Sequence, residues 1–210
     1  MHVVETLGAA IVLLLAVALM LARTPEAAAA IFAWAAVPQA VIAVALAGWG
    51  GMPELFADAA AMLLVKGLWA PRLLRRAIRH NGEVYSQHAA FSPSALLLGA
   101  AALSLLCLRV SLMILPDTGV ALGLGLSAMF VGLGTAAIRS ELWAQAAGML
   151  MGEAGLMTAA LVLSSGLPPV GETFALAEVV LLATVLASVT RLVRATYGSA
   201  DSQLLRGLRG

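Results

Sequence analysis

Long apolar runs broken by short polar clusters dominate the chain, and the runs are of one length class. Seven stretches are apolar enough and close to the roughly 20 residues that a helix needs to cross hydrocarbon: residues 6–22, 27–49, 53–70, 94–115, 118–138, 142–165 and 170–190. Alanine and leucine dominate these runs and strand-type alternation is absent, so the pattern predicts helices and not a β-barrel. The expected fold is all-α, a polytopic membrane helix bundle of about seven transmembrane helices. Residues 1–116 would hold about four of them, with a basic segment at 72–92, and residues 117–194 the last three. The run at 53–70 is the weakest, because Asp58 and Lys66 interrupt it.

Composition agrees with the pattern. Of the 210 residues 62% are hydrophobic and 11% charged, against about 45–50% and 25% in soluble domains. Mean hydropathy is +1.00. The bilayer is therefore the expected solvent. The start of the chain, Met1-His2-Val3-Val4-Glu5-Thr6, lacks the basic n-region of a signal peptide, so the first run is expected to be retained as a helix.

Charge placement orients the bundle. Of the 12 Lys and Arg residues, Lys66 and Arg109 lie inside proposed spans. Arg23, Arg72, Arg75, Arg76, Arg79, Arg139, Arg191, Arg194, Arg206 and Arg209 all fall on one side if there are seven crossings. The positive-inside rule then puts the N-terminus out and the C-terminus in, with 195–210 as a cytoplasmic tail. The setting expected for such a protein is a bacterial inner (plasma) membrane. The formal net charge of +1 argues against nucleic acid as a partner. The basic run from Arg72 to Arg79 reads as a topology anchor against anionic lipid, or as a docking surface.

Chemistry is scarce. One cysteine, Cys107, excludes an internal disulfide. His2, His80 and His88 are far apart and outside the spans, so no metal site is expected. Phosphate loops, nucleophile elbows and Cys-His spacings are missing, and neither catalytic residues nor cofactor ligands are expected.

What stands out are charges inside the spans, each costing about 2.5–3.5 kcal/mol at mid-bilayer on insertion scales. Glu153 lies near the middle of its span among Gly148, Gly152 and Gly155. It is either a neutral tether between helices or an acid that exchanges protons. Glu178 lies in the last span, which a connector of a few residues pairs with the previous one, so the two acids are expected at comparable depth. Lys66 either snorkels to the nearby interface or joins Glu153 and Glu178 in a proton relay. Arg109 is permanently charged and would pair with a carboxylate or face a wet cavity. Asp58, close to the outer interface, is a second possible charge partner or is solvated. Gln39, Ser104, Ser111, Thr158 and Thr184 are expected to hydrogen-bond between helices.

These residues carry a resemblance. Gly132-Leu133-Gly134-Thr135-Ala136-Ala137-Ile138-Arg139-Ser140, then Met149-Leu150-Met151-Gly152-Glu153, resembles the K-type (chain 4L) subunits of NADH–quinone oxidoreductase. Those are three-helix proteins with a buried carboxylate in the second helix and another in the third, where Ala175-Leu176-Ala177-Glu178 matches. The longer chain is similar to component E of hydrogenase-4, a membrane-arm subunit of formate hydrogenlyase-type group 4 [NiFe] hydrogenases. Lys66-Gly67-Leu68-Trp69-Ala70-Pro71 and the tail Tyr197-Gly198-Ser199-Ala200-Asp201 to Leu205-Arg206-Gly207-Leu208-Arg209-Gly210 resemble that family too. One departure is that Ala154-Gly155-Leu156-Met157-Thr158 follows Glu153 without the family's frequent Asn. The resemblance implies that residues 117–194 form a K-like module and that Glu153 and Glu178 belong to a hydrophilic proton axis. It also implies antiporter-like and other membrane-arm partners, and a peripheral redox arm met by the cytoplasmic loops. The competing expectations are a stand-alone secondary transporter, a subunit of a multisubunit cation/proton antiporter, or a scaffold whose charges only fix packing.

Overall fold

The computed structural model describes residues 2–50, 53, 55–79, 92–164 and 184. They form helices α1 (His2–Leu21), α2 (Pro25–Gly50), α3 (Leu55–Met62), a π-helical segment (Leu63–Trp69), α4 (Ala70–Arg79), α5 (Pro93–Ile114), α6 (Gly119–Ile138) and α7 (Leu142–Ser164). No strand occurs among the described residues. Five of these helices (α1, α2, α5, α6 and α7) are long and apolar enough to cross a membrane. The chain is thus a multi-pass membrane protein by the length and composition of its helices. The expected third span is a helix that continues from α3 through the π segment into α4. The expected seventh span, with Glu178, and the tail at 195–210 lie outside the described residues, as does most of the basic loop.

Local chemistry sets the helix starts. Ser92 caps α5, its hydroxyl accepting from the Ala95 N–H at 3.3 Å, with Pro93 in the first turn. Thr24 does the same for α2 through the Ala27 N–H at 3.2 Å, again followed by proline. These Ser/Thr-Pro pairs begin both helices slightly earlier than the apolar runs suggest.

Packing is built on missing side chains. Lipid gives no hydrophobic drive between helices, so close backbone approach and dispersion must hold them together. At the α6–α7 contact, a Cβ on Gly125 would lie 2.8 Å from the Ala159 nitrogen and one on Gly148 2.6 Å from the Ala136 nitrogen. Gly132 and Gly155 face the opposing backbone equally closely. α1 lies against α6 and α2, α5 lies against α6, and α2 carries α3, the π segment and α4 on its flank. α7 is therefore central, with 72% of its spanning window buried, while α5 is outermost, with 17%.

One end of the bundle gathers the arginines. Arg139, 6% exposed, donates to the carbonyls of Met20 and Ala22 at the end of α1, while Gln145 donates to the Arg139 carbonyl at 2.9 Å. Ala22, Ala28, Leu74 and Trp143 share one buried cluster there, and Arg23, Arg72, Arg75 and Arg76 are exposed. Arg139 had the look of one more loop charge; it is instead a buried cap on another helix.

Gly148→Val should destabilise the protein by about 1–3 kcal/mol, because the added carbons meet backbone that cannot rotate away. Gly134→Ala, with nothing within 4 Å of its would-be Cβ, should leave stability unchanged or raise it. Thermal unfolding in mild detergent measures both.

Candidate functional site

The site begins with a spacing. Leu55, Ala59, Met62, Lys66, Ala70 and Leu74 are all buried and recur every three or four residues, the signature of one helix face. A repeated step of four runs ahead of the 3.6-residue α period and would carry the stripe around the helix. The π segment winds more slowly, its i→i+5 pattern shown by the Ala70 N–H donating to the Val65 carbonyl. It brings Met62, Lys66 and Ala70 back into phase. The segment lies on α2 at Gly67, where a Cβ would be 3.7 Å from the Ala36 Cβ, an ordinary contact.

Lys66 is consequently only 1% exposed, and its Nζ donates to Glu153 Oε1 at 2.9 Å. Glu153 on α7 is 13% exposed. The snorkelling expected of Lys66 as one alternative does not occur; the ammonium turns into the bundle. Gln39 on α2, fully buried, joins the same depth: its Nε2 donates to the Ala154 carbonyl at 2.6 Å and to Thr158 Oγ1 at 3.3 Å. Thr158 in turn donates to the Ala154 carbonyl at 2.9 Å. Three elements (α2, the π segment and α7) are thus tied by polar contacts within about one turn of Glu153, in surroundings of alanine, glycine and leucine.

An amine and a carboxyl at this distance in a low-dielectric setting share one proton. The zwitterion gains Coulomb energy and the neutral pair avoids desolvating two charges, so either arrangement of that proton is accessible to the contact. That is the chemistry available here: storing, accepting and passing a proton, with no bond made to carbon.

Of the other expected site residues, Arg109 and Asp58 do not join this cluster. Glu178 lies outside the described residues. Arg109 is exposed on α5 and forms no ion pair among the described residues. Asp58 is half-buried on α3, about two turns before Lys66, with Oδ2 buried and without a hydrogen-bond partner. Gln39 and Thr158 are interhelical hydrogen-bonders as expected, whereas Ser111 Oγ is buried without a partner. Sequence reasoning missed Glu5, 3% exposed and 3.3 Å from His2 Nδ1. Its spacing to buried Gly8, Ala9, Val12 and Ala16 was the available signal.

No family model, no curated protein and no solved structure matches the chain.

Lys66→Met or Glu153→Met alone should cost about 3–5 kcal/mol, each removing the opposite charge that a buried group faces across the 2.9 Å contact. The double variant should recover most of that loss. A double-mutant cycle by thermal unfolding in detergent measures the coupling; additive losses would mean that the two groups do not interact.

Proposed function

We propose that the chain is a non-catalytic membrane subunit of a complex I-like respiratory or hydrogenase complex, in which the Lys66–Glu153 pair is one station of a proton path. The observation that carries this reading is the burial of a 2.9 Å amine–carboxyl pair inside the bundle. Such a pair is expensive as a packing device in a fold already held by glycine contacts, and a reversible proton site gives it a use. The resemblance of Met149–Glu153 and Ala175–Glu178 to K-type subunits, and of the longer chain to hydrogenase-4 component E, supports the same class.

In this proposal, residues 53–70 and 170–190 complete seven crossings. The arginine-rich end faces the cytoplasm of a bacterial inner membrane, placing the N-terminus outside and the C-terminus inside. A proton arriving at Glu153 neutralises the carboxylate and leaves the Lys66 ammonium without its counter-charge. That cation is unstable in apolar surroundings, so it gives up its proton onward, or moves with its π segment until one is returned. One proton enters and one leaves for each cycle. Glu178 is the next carboxyl on the path, and antiporter-like neighbours and a peripheral redox arm supply the driving force.

A transporter acting alone is the second reading. It is favoured by the π segment beside the charged pair and by Pro38 inside α2, since transporters place sites at interrupted helices. Such a protein would move ions when reconstituted by itself.

Glu153→Gln should reduce proton pumping by the purified complex while subunit composition stays intact, and Glu178→Gln should do the same. Unchanged pumping in both variants, read by a pH-sensitive dye in proteoliposomes, would end the proposal.

A further inference from the structure

The outermost helix carries an unexplained charge. On α5, Ala95, Ala102, Leu106, Arg109 and Met113 are all exposed, and their spacing of seven, four, three and four is that of a helix-packing seam. Leu106 is 61% and Met113 79% exposed. Arg109 stands in this stripe five residues before Ile114, where α5 ends, a rise of about 7–8 Å. Its Cα–Cβ bond tilts toward the helix N-terminus, away from that nearer end and along the apolar length of α5. Asp117, in the turn after α5, is the nearest acid along the chain and is exposed without an ion pair. On the adjoining flank of α5, where it meets α6, lies an apolar cleft of about 240 Å³ lined by Leu96, Gly99, Leu103, Phe130 and Gly134. Its α5 lining runs from Leu103, about 9 Å from Arg109 at helical rise, to Leu96, about 20 Å away.

We infer that this face of α5 docks a transmembrane helix of another subunit, one that carries an Asp or Glu opposite Arg109 and places an apolar side chain in the cleft. A guanidinium facing hydrocarbon is unfavourable and cannot discharge by losing its proton. A carboxylate delivered by a partner helix satisfies it, and it sets the register of the two helices as well. An occupant that runs from Arg109 to the Leu96 end of the cleft covers about 20 Å of the roughly 30 Å of hydrocarbon, which fits a crossing helix and not a loop. The inference rests on the reading of the chain as one subunit among several, but not on the proton chemistry of Lys66 and Glu153.

The test uses the complex in its native membrane. A photo-cross-linking benzoylphenylalanine in place of Leu106 should capture an apolar segment of a different protein with an acid within about one turn of the cross-link. Arg109→Gln should lower the fraction of the chain in the large complex about tenfold or more on native gels, and Arg109→Lys should retain most of it. Arg109→Glu combined with Lys in place of the captured acid should restore assembly. Cross-links only to lipid, to a second copy of this chain or to its own residues 165–210 would overturn the inference. So would an Arg109→Gln chain that assembles normally. In either case the chain could still migrate in a large complex with pumping dependent on Glu153, which leaves the subunit reading standing while the docking face falls.

Discussion

The contact between Lys66 and Glu153 constrains the bundle more than any other. Neither group can be left alone in an apolar interior, so the π segment and α7 must meet at one height and one rotation. A hydrophobic interface tolerates sliding by part of a turn; an ammonium held 2.9 Å from a carboxylate oxygen does not. The hydrogen bonds from Gln39 into the next turn of α7 add α2 to the same registration. The polar cluster is therefore a structural coordinate as well as a chemical site.

α7 separates two kinds of adhesion. Through Gly148 and Gly155 it presents its backbone to α6, where fit is governed by shape and an added methyl has nowhere to go. Through Glu153, Ala154 and Thr158 it presents charge and hydrogen-bonding groups to the π segment and α2. The first contact is rigid because it is made of main chain. The second contains a side-chain pair and a stretch of π helix, both of which have alternative arrangements. A change of protonation would thus be taken up on the α2 side, with the α6–α7 pair as the fixed frame.

Much of this was legible in the sequence because membrane helices obey few rules. Apolar run length located the five long helices, and the glycines around Glu153 announced close packing. Both residues of the pair were visible as misplaced charges. Their pairing was not, since they are 87 positions apart and no periodicity links two different helices. Lys66 had a local clue, the buried stripe from Leu55 to Leu74, but near a basic run the same residue also fits an interfacial lysine. The π winding that settles the matter follows from backbone hydrogen bonding, which residue types alone do not specify. The burial of Arg139 was not legible for a similar reason: arginines at span ends usually face water, and only the fold brings two carbonyls of α1 to it.

That arrangement bears on how the protein is made. The last carbonyls of α1 accept from a guanidinium more than a hundred residues downstream, so α1 leaves the insertion machinery with its C-terminal end unfinished. Until α6 has been threaded, only solvent or headgroups can satisfy those oxygens. A helix made well before α6 is thus locked only after it, and a nascent chain stalled before residue 139 would retain a loosely seated α1.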